Sequence, residues 1–153
     1  MRVPFIARWS GWIAAGQVRD ELVIGIDIFP TVLELAGIPA PTDRALDGES
    51  LAAMLTRGAP GPERAIYFHQ LGALRAVRDG RFKLHDRHAV PYGNPMNWSW
   101  APTAEKGPWL FDLAVDPAES YDVSVRYPAE RRRLEGLMRA QAQALAGNPR
   151  GWK

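Results

Sequence analysis

Few side chains in this sequence of 153 residues are equipped for covalent or acid–base chemistry, and their spacing limits what they can do. Cysteine is absent, which removes a thiolate nucleophile, a thiolate metal site and any disulfide framework. His85 and His88 are three apart, a spacing that brings two imidazoles to one metal only on a helix, whereas this stretch reads as a strand end running into a loop; no metal is assigned there. His69, followed by Gln70 at the end of an expected strand, reads either as a structural hydrogen-bonding residue or as a group facing a pocket. Nine aspartates are scattered singly through turn phrases, while calcium takes about six to eight oxygens from clustered acids, so no aspartate is assigned as a metal ligand. Sixteen of the nineteen basic residues are arginine and the formal charge is only +2. Arg131, Arg132 and Arg133 are the one basic block, and on a helix they point about 100° apart, which suits a solvated face better than a nucleic-acid contact.

The elements that must position these groups follow from apolar spacing and turn residues. Residues 3–9, rich in Val, Phe, Ile and Trp, read as a strand with Pro4 in its first residues. No signal-peptide layout opens the chain, and the longest nearly uncharged stretch, 22–33, falls short of the ~20 residues of a membrane span and contains Asp27 and Pro30. Helical spacing of Ile28, Val32, Leu35 and Ala36 predicts a helix over 29–36, capped by Asp27 and stopped by Gly37. A second short helix is expected over 50–55. The breaker cluster at 57–62 marks the expected boundary between two structural units, 1–57 and 58–153.

The second unit reads as sheet, with strands over 65–69, 74–78, 81–85 and 109–113 and a tight hairpin at Asp79-Gly80, where positive φ is needed. Alternation places Lys83 toward solvent or a pocket rim. Residues 128–146 form an amphipathic helix with Leu134, Leu137, Met138 and Leu145 on one face, Pro128 at its start and Gly147 past its end. Between the third and fourth strands, residues 86–108 show no period. A loop beyond about 12–15 residues is usually functional or disordered, and this one is rich in aromatics.

Four phrases resemble, in order, the C-terminal portion of the sulfatase family within the alkaline-phosphatase-like superfamily. They are Arg2-Val-Pro-Phe-Ile-Ala-Arg-Trp9; Ile26-Asp-Ile-Phe-Pro-Thr-Val-Leu-Glu-Leu-Ala-Gly-Ile38 with Asp47-Gly-Glu-Ser-Leu51; Arg75-Ala-Val-Arg-Asp-Gly-Arg-Phe-Lys-Leu84; and Leu110-Phe-Asp-Leu with Asp116-Pro-Ala-Glu119. Read physically, the same phrases serve as turns and helix starts, with Glu119 near the positive end of a helical turn. The resemblance implies an α/β fold, α+β in isolation: the tail of a mixed-sheet catalytic core followed by a small four-stranded antiparallel sheet packed by a C-terminal helix. It further implies hydrolysis of aryl or carbohydrate sulfates through a formylglycine nucleophile and a divalent cation.

The chemistry the resemblance calls for is not in this sequence. No serine or cysteine stands in a Cys/Ser-x-Pro-x-Arg motif, and the family's calcium ligands and active-site lysine have no counterpart. The expectation is a C-terminal piece that is silent alone, binds neither calcium nor formylglycine-derived chemistry itself, and has the N-terminal core as its packing partner, with no nucleic-acid or membrane partner. Family C-terminal units help to wall the substrate pocket, which makes Trp98 and Trp100 candidates to stack on an aryl or sugar ring, with Asn94 or Asn97 donating hydrogen bonds and His69 facing the pocket. The plainer reading has the tryptophans cover the sheet. A phosphonate monoester or phosphodiester hydrolase of the same superfamily is an alternative, as is a binding domain that works through the Trp-rich loop.

Overall fold

A 3₁₀ turn at Gly25–Asp27 runs directly into helix α1 (Ile28–Leu35), where Pro30 occupies a first-turn position at which its missing N–H costs nothing. The computed structural model describes residues 3–70, 72–86 and 107–147, and it divides into two units, Met1–Glu63 and Arg64–Lys153. The elements agree with an α/β class in which an antiparallel sheet and a C-terminal helix form the second unit.

In the first unit, helix α1 is followed by helix α2 (Ala52–Arg57), two residues later than expected; the Ser50 hydroxyl accepts the Ala52 N–H. Asp27 is fully buried, yet it does not cap α1 as expected. Its carboxylate instead accepts the N–H of Ile24 at 2.9 Å and of Glu49 at 3.0 Å, so it fastens two loops across the start of the helix. Thr31 continues the link, donating to the Asp27 carbonyl and accepting the Leu51 N–H. Gly48 permits this closeness, since a Cβ there would lie 2.1 Å from the Ile26 carbonyl oxygen. Residues 3–9 form no strand: they pair with no neighbour among the described residues, and Ile6 is 90% exposed. Apolar, β-prone residues make a strand only where a ladder partner exists.

The second unit is an antiparallel sheet in the order β1 (Ile66–Gln70), β2 (Ala73–Asp79), β3 (Phe82–His85) and β4 (Trp109–Asp112), followed by helix α3 (Pro128–Ala146). Gly80 and Arg81 make the β2–β3 turn with Gly80 at φ 57°, one residue beyond the expected pair. Val77, Phe82, Leu84, Leu110 and Leu134 form the core, and Leu137 and Met138 pack on it. Leu145 is not part of this core and is 47% exposed. Beyond β4 the chain doubles back: Val123 N–H bonds the Leu110 carbonyl, and the Asp122 carboxylate accepts the Leu110 N–H at 3.0 Å. That closes the outer edge of β4, which would otherwise offer free ladder groups.

Candidate functional site

Period-two alternation on β3 sends Phe82 and Leu84 to the core and leaves Lys83 and His85 side by side on the sheet's other face. Lys83 is not at a rim or in solvent as expected, but only 8% exposed. Its burial is possible because Glu119, from the segment after β4, reaches over the sheet with one oxygen for each neighbour. Lys83 Nζ donates to Glu119 Oε1 at 2.6 Å, and His85 Nε2 lies 2.5 Å from Oε2. Lys83 also sits 4.8 Å from the centre of the Phe68 ring, and Phe111 meets the His85 ring edge-on at 5.5 Å. A buried ammonium is tolerated when a carboxylate neutralises it and an aromatic face replaces part of its hydration.

Glu119 does not begin a helical turn. Its φ of 57° places it in the left-handed region, sparsely populated by residues with a Cβ. The backbone there is held by the Glu119 N–H bond to the Asp116 carbonyl, while the Asp116 carboxylate accepts the N–H groups of Ser120 and Tyr121. Burial pushes the His85 pKa down, aided by the Lys83 charge and opposed by Glu119. For Glu119 burial works upward, but the hydrogen bond and charge of Lys83, with His85 behind them, win and hold the carboxyl below its usual range. At neutral pH the arrangement is therefore an ammonium, a carboxylate and an uncharged imidazole whose Nε2 faces the carboxylate. Sequence reasoning missed Glu119. The alternation that put two basic side chains on one face was the available signal that an anion must meet them, but nothing local says which acid.

Of the residues singled out for a pocket, His69 lies on β1 and is exposed. Asn94, Asn97, Trp98 and Trp100, with His88, lie outside the described residues. Among the described residues no group of three His, Cys, Asp or Glu side chains converges for a metal. The buried acids Asp27 and Asp112 are engaged elsewhere, Asp27 by two backbone N–H groups and Asp112 by Arg81 at 2.9 Å, and the half-buried Glu119 is held by Lys83 and His85. These residues do not fit a calcium site. In the first unit an open groove of about 310 Å³ is lined largely by apolar side chains, among them Phe5, Trp9, Ile13, Ile28, Val32 and Leu55. Trp9 and Trp12 stack beside one another at 5.1 Å.

A four-stranded antiparallel sheet backed by one helix, preceded by a short two-helix unit, defines the class to which the comparisons assign the chain. Residues 1–91 match the family model for N-sulphoglucosamine sulphohydrolase, C-terminal, and the chain belongs to the sulfatase family. Arylsulfatase A of Homo sapiens is 34% identical over 134 residues, covering 80% of this chain and 26% of that protein. N-acetylgalactosamine-6-sulfatase of Sus scrofa is 35% identical over 139 residues, covering 81% of this chain and 26% of that protein. The crystal structure of the PsFucS1 sulfatase from Pseudoalteromonas sp. superposes with a TM-score of 0.70 at 24% identity, over 94% of this chain and 30% of that one, and supports the fold. The chain spans about a quarter of the length of the curated relatives named here.

Proposed function

We propose that this chain supplies the C-terminal part of a sulfatase, a hydrolase of aryl or carbohydrate sulfates, and that alone it turns over none of them. The match of residues 1–91 to a sulfatase C-terminal family carries this reading. Sulfate-ester hydrolysis needs a strong nucleophile, a cation to neutralise the sulfate oxygens and an acid for the leaving alkoxide. The sequence has no cysteine and no Ser-x-Pro-x-Arg motif from which formylglycine is made, and the carboxylates of Asp27, Asp112 and Glu119 are engaged in other bonds. A catalytic portion bearing the formylglycine and calcium is the partner this reading requires, and the exposed apolar side chains Phe5, Ile28, Phe29 and Val32 are the surface it would cover.

Within that assembly Trp98 and Trp100 stack on the ring of the sulfate ester, Asn97 donates to it, and His69 stands at the pocket wall. A relative named as an N-acetylgalactosamine-6-sulfatase makes a sulfated amino sugar the first probe to try. The test has two arms. Purified chain incubated with 4-nitrophenyl sulfate and with N-acetylgalactosamine 6-sulfate is expected to release no sulfate, and release by the chain alone would overturn the inactivity. Mixed with a relative's catalytic portion from which the matching C-terminal region has been deleted, the chain is expected to raise hydrolysis above that portion alone. No gain from a complex shown to form would overturn the proposed contribution to catalysis.

A further inference from the structure

Glu119 is held to β3 by two bonds of unlike character. The bond to Lys83 joins two full charges, while the bond to His85 joins a carboxylate to a ring that stays uncharged at neutral pH. Among the described residues, the groups around Glu119 on this face can be named strand by strand. β3 supplies Lys83 and His85; β2 supplies Arg78, directly opposite Lys83 in the register; β1 and β4 contribute the Phe68 and Phe111 rings; and the segment after β4 supplies Glu119, anchored through Asp116. Glu119 thus brings one carboxylate to the two basic side chains of β3.

We propose that the Lys83–Glu119–His85 cluster is an acid-released latch that holds the segment between β4 and α3 against the sheet. At neutral pH the three groups sum to no net charge. Protonation of His85 adds an imidazolium beside a buried ammonium that shares its one carboxylate. Protonation of Glu119 then removes the anion that holds these cations together. The Glu119 backbone, kept at a positive φ by these contacts and by Asp116, relaxes to an ordinary conformation once the carboxyl is freed. Residues 113–123 then lift away, while the core behind the other face, from Val77 to Leu134, stays closed.

Amide hydrogen exchange of the full chain, followed residue by residue from neutral pH to about pH 3, reads this directly. The informative amides are Glu119 and Val123, which bond backbone carbonyls, whereas Ser120 and Tyr121 bond the Asp116 side chain. Corrected for intrinsic rates, protection at Glu119 and Val123 is expected to fall roughly tenfold or more while the core amides of Val77 and Leu84 hold. Glu119→Gln is expected to show the lowered protection already at neutral pH, with little further change on acidification. His85→Gln, which keeps a neutral donor, is expected to move the release to lower pH. Loss of protection in segment and sheet together at one midpoint would overturn the latch. So would wild-type protection in Glu119→Gln. Should that variant fail to fold, the unmodified chain decides: titration of the His85 ring with no accompanying change at the Glu119 amide would equally overturn it.

Discussion

Charge drawn out of water in this protein is tolerated where each polar atom has a partner, and the buried Asp27 and Lys83 and the half-buried Glu119 show three versions of that rule. Asp27 spends both carboxylate oxygens on backbone N–H groups, closing the 3₁₀ turn at Ile24 and tying the Glu49 loop to it rather than capping α1. Lys83 and His85 share one carboxylate, and the pH dependence of stability follows from the directions of their shifts. The fold disfavours the imidazolium, holding the His85 pKa below its ordinary 6.5, so its contribution is fully present above that value and is lost as pH falls through it. The fold favours the Glu119 carboxylate, whose contribution is present above the ordinary 4.5 and is lost as pH falls through the lowered value. Both act in the same direction. Urea unfolding monitored on the second unit is therefore expected to weaken in two stages on acidification, the upper stage absent in His85→Gln and the lower in Glu119→Gln. A flat profile between neutral pH and about pH 5 in the wild type would contradict the His85 assignment.

At the scale of elements, legibility in the sequence tracked how local the deciding interaction is. Helix α3 runs from Pro128 to Ala146, as its proline start, glycine stop and apolar spacing indicate. The β2–β3 hairpin was readable because Gly80 supplies the positive φ its turn needs, although the turn begins one residue later than Asp79-Gly80 suggests. The strand expected over residues 3–9 was not readable in the same way, because alternation and β-propensity describe a surface that fits a sheet without supplying the neighbouring strand. The Glu119 contact failed to show for a related reason: it joins residues 34 and 36 positions apart through one acid among eight glutamates. Leu145 joined the expected apolar stripe by spacing alone, but it is exposed and lies outside the core. Leu134→Ala, which empties a fully buried core site, is expected to cost about 2–5 kcal/mol, whereas Leu145→Ala should stay within about 0.5 kcal/mol. Similar losses in thermal or urea midpoints for the two variants would show that the helix end is packed after all.

For the molecule as a whole, the two units differ in how much apolar surface they keep to themselves. The second closes a core between sheet and helix and covers the outer edge of β4 with its own chain. The first buries Leu51, Ala52 and Met54 together with the polar pair Asp27 and Thr31, but leaves Val3, Phe5, Ile6, Trp12, Ile28, Phe29 and Val32 each about half or more exposed. Exposed apolar area of that extent marks a surface meant to be covered, or one that drives self-association when it is not. Each side chain of this size returned to an apolar contact is worth about 1.5–3 kcal/mol, so a few suffice to favour association at modest concentrations. The 153-residue chain alone is therefore expected to scatter light increasingly with concentration. Introducing charge on this surface with Ile6→Lys and Phe29→Glu is expected to suppress that scatter while leaving the helix and sheet of the second unit intact by circular dichroism. If the unmodified chain stays monomeric across that range, its first-unit apolar residues cover one another in solution, and the surface invoked for a catalytic partner is not available to it.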